Sequence, residues 1–182
     1  HLDAENAFTE QRTAHLAGLR QSIFDEIKAR TLETDLSVPT RQGAWWYYGR
    51  TVEGKQYGIQ CRAPLAGPDD WTPPVLTPGV DVPGEIVLLD GNVEAGDSEF
   101  FSLGALTVSA DHRLVAFAVD TAGDERFDLT VRDIATGEVL DTSLTGIGYG
   151  CELSHDGSFV FYTRVDDAWR PVGELAGQPP GE

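Results

Sequence analysis

The chain has 182 residues, of which 30 are acidic and 13 basic, giving a formal net charge of −17 with a hydrophobic fraction of 41 %. That length suits one ordinary domain with enough apolar content for a core, while the acid excess repels phosphate backbones and argues against nucleic-acid binding. No run approaches the roughly 18 apolar residues of a membrane span, the first residues lack a signal peptide's apolar centre, and a cytoplasmic protein is expected.

Residues 3–35 read as a helix. Leu16, Leu19, Ile23, Phe24 and Ile27 recur at spacings of three and four, which gathers them on one stripe. Asp3 is placed to cap the first turn and Glu5 to meet the helix dipole. Pro39, approached through Ser37 and Val38, ends the helical pattern. A helix with such a stripe needs a surface to lie on.

Residues 44–63 read as a β-hairpin. Trp45, Trp46, Tyr47 and Tyr48 form a dense strand-favouring run, Gly54 supplies the positive φ of the turn, and residues 57–61 return. Four consecutive aromatics fit a structural interface better than a ligand platform, and a two-stranded hairpin is marginal alone. Pro64, Gly67, Pro68, Pro73, Pro74, Pro78 and Pro83 then crowd residues 64–84, which read as a linker. Short strands follow at 85–89, 106–108, 114–119, 127–132 and 139–142, joined by Asp/Gly turns in an antiparallel meander.

The chain also echoes itself at an offset of 45 residues: Ser109 with Ser154, Asp111 with Asp156, Leu114 with Phe159, Phe117 with Tyr162. A period of about 40–50 residues built from short strands marks a β-propeller blade. A second blade is expected from Gly150 to at least Thr163, and residues 172–182, rich in Gly and Pro, read as coil. Propellers close with about four or more blades. The chain, which opens on His1 and contains no methionine, is therefore expected to be a piece of something longer.

Few residues invite a chemical role. Ser154, His155 and Asp156 are the three residue types of a catalytic triad, but adjacent residues in a turn point apart, whereas a working imidazole must meet both partners in space. They read as a polar turn. Asp120, Asp124, Glu125 and Asp128 lie close together without the spacing of a calcium loop and read as a solvated turn. His1, His15, His112 and His155 show no zinc-ligand spacing. Cys61 and Cys151, 90 positions apart, read as buried or free thiols.

Six segments nevertheless occur in a telling order: Glu5-Asn-Ala-Phe-Thr-Glu10, Ser37-Val-Pro-Thr-Arg41, Trp46-Tyr-Tyr-Gly-Arg-Thr-Val-Glu-Gly-Lys-Gln-Tyr57, Phe101-Ser-Leu-Gly104, Val119-Asp-Thr-Ala-Gly-Asp-Glu-Arg126 and Tyr162-Thr-Arg-Val-Asp-Asp-Ala-Trp-Arg-Pro171. With them the chain, over residues 3–171, resembles the oligopeptidase B (protease II) branch of the prolyl oligopeptidase family of serine peptidases. Gly49 and Gly58 depart from it, standing where serine and proline are expected.

The resemblance implies a seven-bladed propeller capping an α/β-hydrolase domain. This chain would then be an α+β fragment, mainly β: a helix and hairpin over 1–63 that pack on the hydrolase domain, a linker over 64–84, the first one to two blades over 85–171, and a coil tail over 172–182. It implies the N-terminal, propeller-side portion of an enzyme that hydrolyses short peptides after Arg or Lys, with the propeller as a gate. The partners implied are short basic peptides and the hydrolase domain; no nucleic acid, membrane, cofactor or metal is expected. The family's triad and its acidic specificity pocket lie in the hydrolase domain, so no catalytic residue is carried onto any position here. Two alternatives stay open: a stand-alone, non-catalytic propeller-like binding or scaffold protein, and a fragment of a proline-specific oligopeptidase.

Overall fold

The computed structural model describes residues 1–178 apart from Gly79 and Asp167. The first 30 residues form a helical arm: α1 (Leu2–Thr13), a 3-10 turn at Ala14–Leu16, and α2 (Ala17–Arg30). Asp3 and Glu5 near its start and Lys28 and Arg30 near its end sit where helix dipoles favour their charge. Asp3 does not cap: the helix already begins at Leu2, so Asp3 falls inside the first turn and His1 takes the N-cap position with no side-chain bond. The tighter 3-10 turn interrupts the single stripe anticipated over 3–35. No residue of either helix is buried, and Leu19, Phe24 and Ile27 are 58–60 % exposed.

Eleven strands follow among the described residues, in three antiparallel sheets. The first has the order β1-β2-β3-β4, from β1 (Thr40–Gln42), β2 (Trp45–Arg50), β3 (Ile59–Pro64) and β4 (Ile86–Asp90). The expected hairpin is its centre, pairing Trp46 with Ala63 and Tyr48 with Cys61. After β4 comes a single helical turn, α3 (Gly91–Glu94). The second sheet runs β5-β6-β7-β8, from β5 (Ser102–Val108), β6 (Leu114–Asp120), β7 (Asp128–Asp133) and β8 (Val139–Asp141). The third runs β9-β10-β11, from β9 (Ile147–Leu153), β10 (Val160–Val165) and β11 (Pro171–Gln178).

Two expectations need correction. The strand anticipated at 85–89 does not open the meander; as β4 it pairs with β3, Cys61 opposite Val87 and Arg62 opposite Ile86. Residues 64–84 are thus a long excursion between two paired strands of one sheet, and Leu65, Leu76 and Val82 fold back on that sheet. The coil expected from Val172 onward is also wrong as far as Gln178. Backbone groups of β11 pair with β10 from Val165↔Pro171 to Val160↔Gln178, because a free sheet edge satisfies main-chain donors and acceptors whatever the side chains favour. Residues 179–182 lie outside the described residues.

The sheets stack face to face through β6. Val115 and Phe117 on one side of that strand pack with Leu88, Leu89, Ala95 and Phe101 of the first sheet and its connection. Ala116 and Ala118 on the other side pack with Phe127, Leu129, Val131, Ile147, Cys151 and Val160, joining the second sheet to the third. A strand covered on both faces loses the alternation of a half-exposed one, which is why residues 114–119 are apolar without a break. The aromatic run of β2 divides in the same way. Trp46 and Tyr48 join Ile59, Cys61, Ala63 and Val82 beneath the proline-rich excursion, while Tyr47 faces the second sheet. The hairpin therefore finds its partners within this chain, whereas among the described residues the helical segments of the arm bury no side chain.

Two outcomes follow from this packing. A Cβ at Gly104 would overlap the ring of Phe127, so Gly104→Ala is expected to destabilise the fold by about 1–3 kcal/mol, read as a lower midpoint in urea unfolding. Deleting residues 1–30 removes no buried contact, and such surface changes are worth about 0.5 kcal/mol or less. The thermal midpoint of the shortened chain is expected within about 2 °C of the parent, and a larger fall would show that the arm packs on the sheets.

Candidate functional site

The triad-like residues form a turn between β9 and β10. The Ser154 hydroxyl donates to Asp156 Oδ1 at 2.7 Å and accepts from the Phe159 N–H at 3.0 Å, while Ser158 N–H donates to Asp156 at 3.1 Å. Those bonds, the serine's first, hold the Asp156 carboxyl down at about 2. His155 is exposed in the turn and bonds to neither neighbour among the described residues. A serine whose hydroxyl only hydrogen-bonds to so weakly basic a carboxylate, with no imidazole beside it, lacks the activation an acyl-transfer nucleophile needs.

The same turn joins β5 to β6. Ser109 donates to Asp111 at 2.6 Å, and Leu114 N–H donates to Ser109 Oγ at 2.9 Å. The 45-residue echo is thus a repeated hydrogen-bonding pattern, and both copies turn through a left-handed residue: His112 with φ 61° in one, Gly157 with φ 71° in the other. The turn from β1 to β2 also passes through one, Gly43 with φ 59°. The three are neighbours, since a side chain at Gly43 would strike the His112 imidazole and one at Gly157 would meet Leu114 and Ser109.

The acidic residues 120–128 serve the turn after β6. Asp120, 2 % exposed, accepts from the N–H groups of Ala122 and Gly123 through Oδ1 and of Glu125 through Oδ2, at 2.7–2.8 Å. Burial pushes its carboxyl up, but the backbone donors of Gly123, Ala122 and Glu125 outweigh that and hold it below the usual carboxylate range. Asp124 accepts from Arg126 N–H and Asp128 from Gly146 N–H. Each of these three aspartates is bound to main chain, and among the described residues no three His, Cys, Asp or Glu side chains gather as a metal would need. His1 lies 4.0 Å from Glu5 and His15 sits in the 3-10 turn, both on the exposed arm.

Cys61 and Cys151 are free and buried, in the first and third sheets. Burial foremost, then the charge of Glu85, pushes the Cys61 thiol up to about 12; burial, then Glu152, pushes Cys151 up to about 11. Both stay protonated at neutral pH and make poor nucleophiles.

Two polar clusters have no short-range signature in the sequence. On one, the Tyr48 hydroxyl donates to Glu85 Oε2 at 2.6 Å while Arg50 Nη2 donates to Oε1 at 2.8 Å. Their ion pair is mostly buried and lines a cleft of about 260 Å³ shared with Val52, Leu76, Asp81 and Val82. On the other, the Tyr47 hydroxyl and His112 Nδ1 are 2.7 Å apart, and Arg62 Nη1 donates to the His112 carbonyl at 2.6 Å. The Arg62 guanidinium lies 4.0 Å from the centre of the Trp45 ring. This cluster ties the first sheet to the β5–β6 turn, and Arg132 adds a tie to Glu94 at 2.6 Å. Burial foremost pushes both tyrosine hydroxyls above their ordinary pKa, so neither cluster supplies an activated nucleophile. The first ties β2 to the residue that enters β4 within one sheet, and the second ties the first sheet to the second.

Residues 1–176 match the family model described as the N-terminal β-propeller domain of prolyl oligopeptidase. The chain belongs to this family. It is 36 % identical to dipeptidyl aminopeptidase BI of Pseudoxanthomonas mexicana over 91 % of this chain and 23 % of that protein. It is 27 % identical to protease 2 of Moraxella lacunata over 94 % of this chain and 24 % of that protein. Among solved structures, oligopeptidase B from Leishmania major superposes with a TM-score of 0.80 at 30 % identity, covering 94 % of this chain and 23 % of that one. The chain spans about a quarter of the length of these relatives, and its three sheets are successive pieces of a propeller.

Asp120 offers a direct test of the turn chemistry. Its lowered carboxyl contributes stability above the pH at which the unfolded carboxylate titrates, and that contribution is lost as pH falls through the folded value. Asp120→Asn turns an N–H₂ toward the Glu125 N–H and is expected to cost about 1–3 kcal/mol at pH 7. The gap between parent and variant, measured by urea unfolding, should narrow toward pH 3; a gap independent of pH would disprove the role of the charge.

Proposed function

We propose that this chain is the propeller-side, N-terminal portion of an oligopeptidase B-like serine endopeptidase that cleaves short peptides after Arg or Lys. The observation that carries this reading is the superposition on oligopeptidase B from Leishmania major across nearly the whole chain. In it, the stacked sheets screen access to a catalytic α/β-hydrolase domain and exclude folded proteins, while the helical arm, exposed along Leu19, Ile23, Phe24 and Ile27, lies against that domain. The net charge of −17 supports a preference for cationic peptides, acting as steering within a screening length of about 8–10 Å. The free thiols of Cys61 and Cys151 support a cytoplasmic setting, where thiols stay reduced.

A second reading has its own support. The 36 % identity to a dipeptidyl aminopeptidase favours removal of dipeptides from free N-termini over internal cleavage. Three matched fluorogenic amides separate the possibilities in the longer parent protein: an N-blocked peptide ending in Arg, the same peptide as an unblocked dipeptide, and an N-blocked peptide ending in Pro. The highest kcat/KM is expected on the blocked Arg peptide. Preference for the free dipeptide would select the second reading, and preference for Pro would overturn the assignment to basic residues.

The 182-residue chain by itself is expected to turn over none of these amides and to take no label from a serine-reactive fluorophosphonate, since Ser154 is engaged by the weakly basic Asp156 carboxylate rather than by an imidazole. Labelling above a denatured control would reopen a catalytic role for this part of the enzyme.

A further inference from the structure

We draw no further inference here: the strongest candidate, the apolar cleft of about 470 Å³ between Trp45, Pro64, Leu65 and Pro68 beside the first sheet, is an open groove and nothing in the structure shows what covers it.

Discussion

The structure depends on one strand being apolar on both faces. Val115, Ala116, Phe117 and Ala118 are each at most 1 % exposed, and each neighbouring sheet rests on one side of that row. The sides differ in size. Val115 and Phe117 fill the space toward Leu88, Leu89 and Phe101, whereas Ala116 and Ala118 leave room on their side for Phe127. Gly104, next door on β5, is part of the same fit, because the Phe127 ring occupies the volume a side chain there would need. Large residues opposite small ones let sheets approach closely, and interiors packed to crystal-like density tolerate little change in volume.

Polar groups work at the edges of this stack. The hydrophobic contacts are non-directional, so register between sheets must come from bonds with fixed geometry. Thr107 donates to Glu152 at 2.8 Å between the second and third sheets, and Phe127 and Ile147 exchange backbone bonds at 2.9 Å. Between the first and second sheets the same task falls to Tyr47, Arg62 and His112. His112 occupies a left-handed conformation that disfavours side chains by about 1–2 kcal/mol, at the position where the repeat has Gly157. The bond from its ring to Tyr47 and the Arg62 bond to its carbonyl give a physical reason for a histidine there.

Much of the strand order was legible in the sequence because local signals and tertiary context agreed. The aromatic run of β2, the glycine turn after it and the Ser/Asp turns each carry their own backbone preference. What was missed depended on partners far along the chain. Strand β4 belongs with β3 across 21 intervening residues, and no local pattern announces which sheet a short apolar run will join. Strand β11 forms where propensity predicts coil, through main-chain pairing. The matching left-handed turn at Gly43 does not show in the 45-residue echo because the excursion at 64–84 lengthens the spacing, since 112 minus 43 is 69. The residues around Asp120 are acidic in the sequence, but their use as main-chain acceptors shows only once the turn is closed.

These constraints also explain why residues that look chemical are quiet. Asp111, Asp156 and Asp120 spend their acceptor capacity on neighbouring hydroxyl and main-chain donors, while Arg50 is paired with Glu85 inside the first sheet and Arg132 with Glu94 between the second sheet and the connection from the first. A propeller blade must close several tight turns in a short length, and each turn consumes an aspartate or a glycine. The acidity of this chain is therefore partly a consequence of its turns. The helical arm obeys a different rule: its apolar residues satisfy nothing among the three sheets, and burying side chains of that size is worth about 1.5–3 kcal/mol each. A surface able to collect that energy would fix the arm far more firmly than the link through Thr31 and Leu32, beyond which Glu33, Thr34, Asp35 and Ser37 are already bonded to residues 49–53, and that is the physical basis for the docking role in the larger enzyme proposed above.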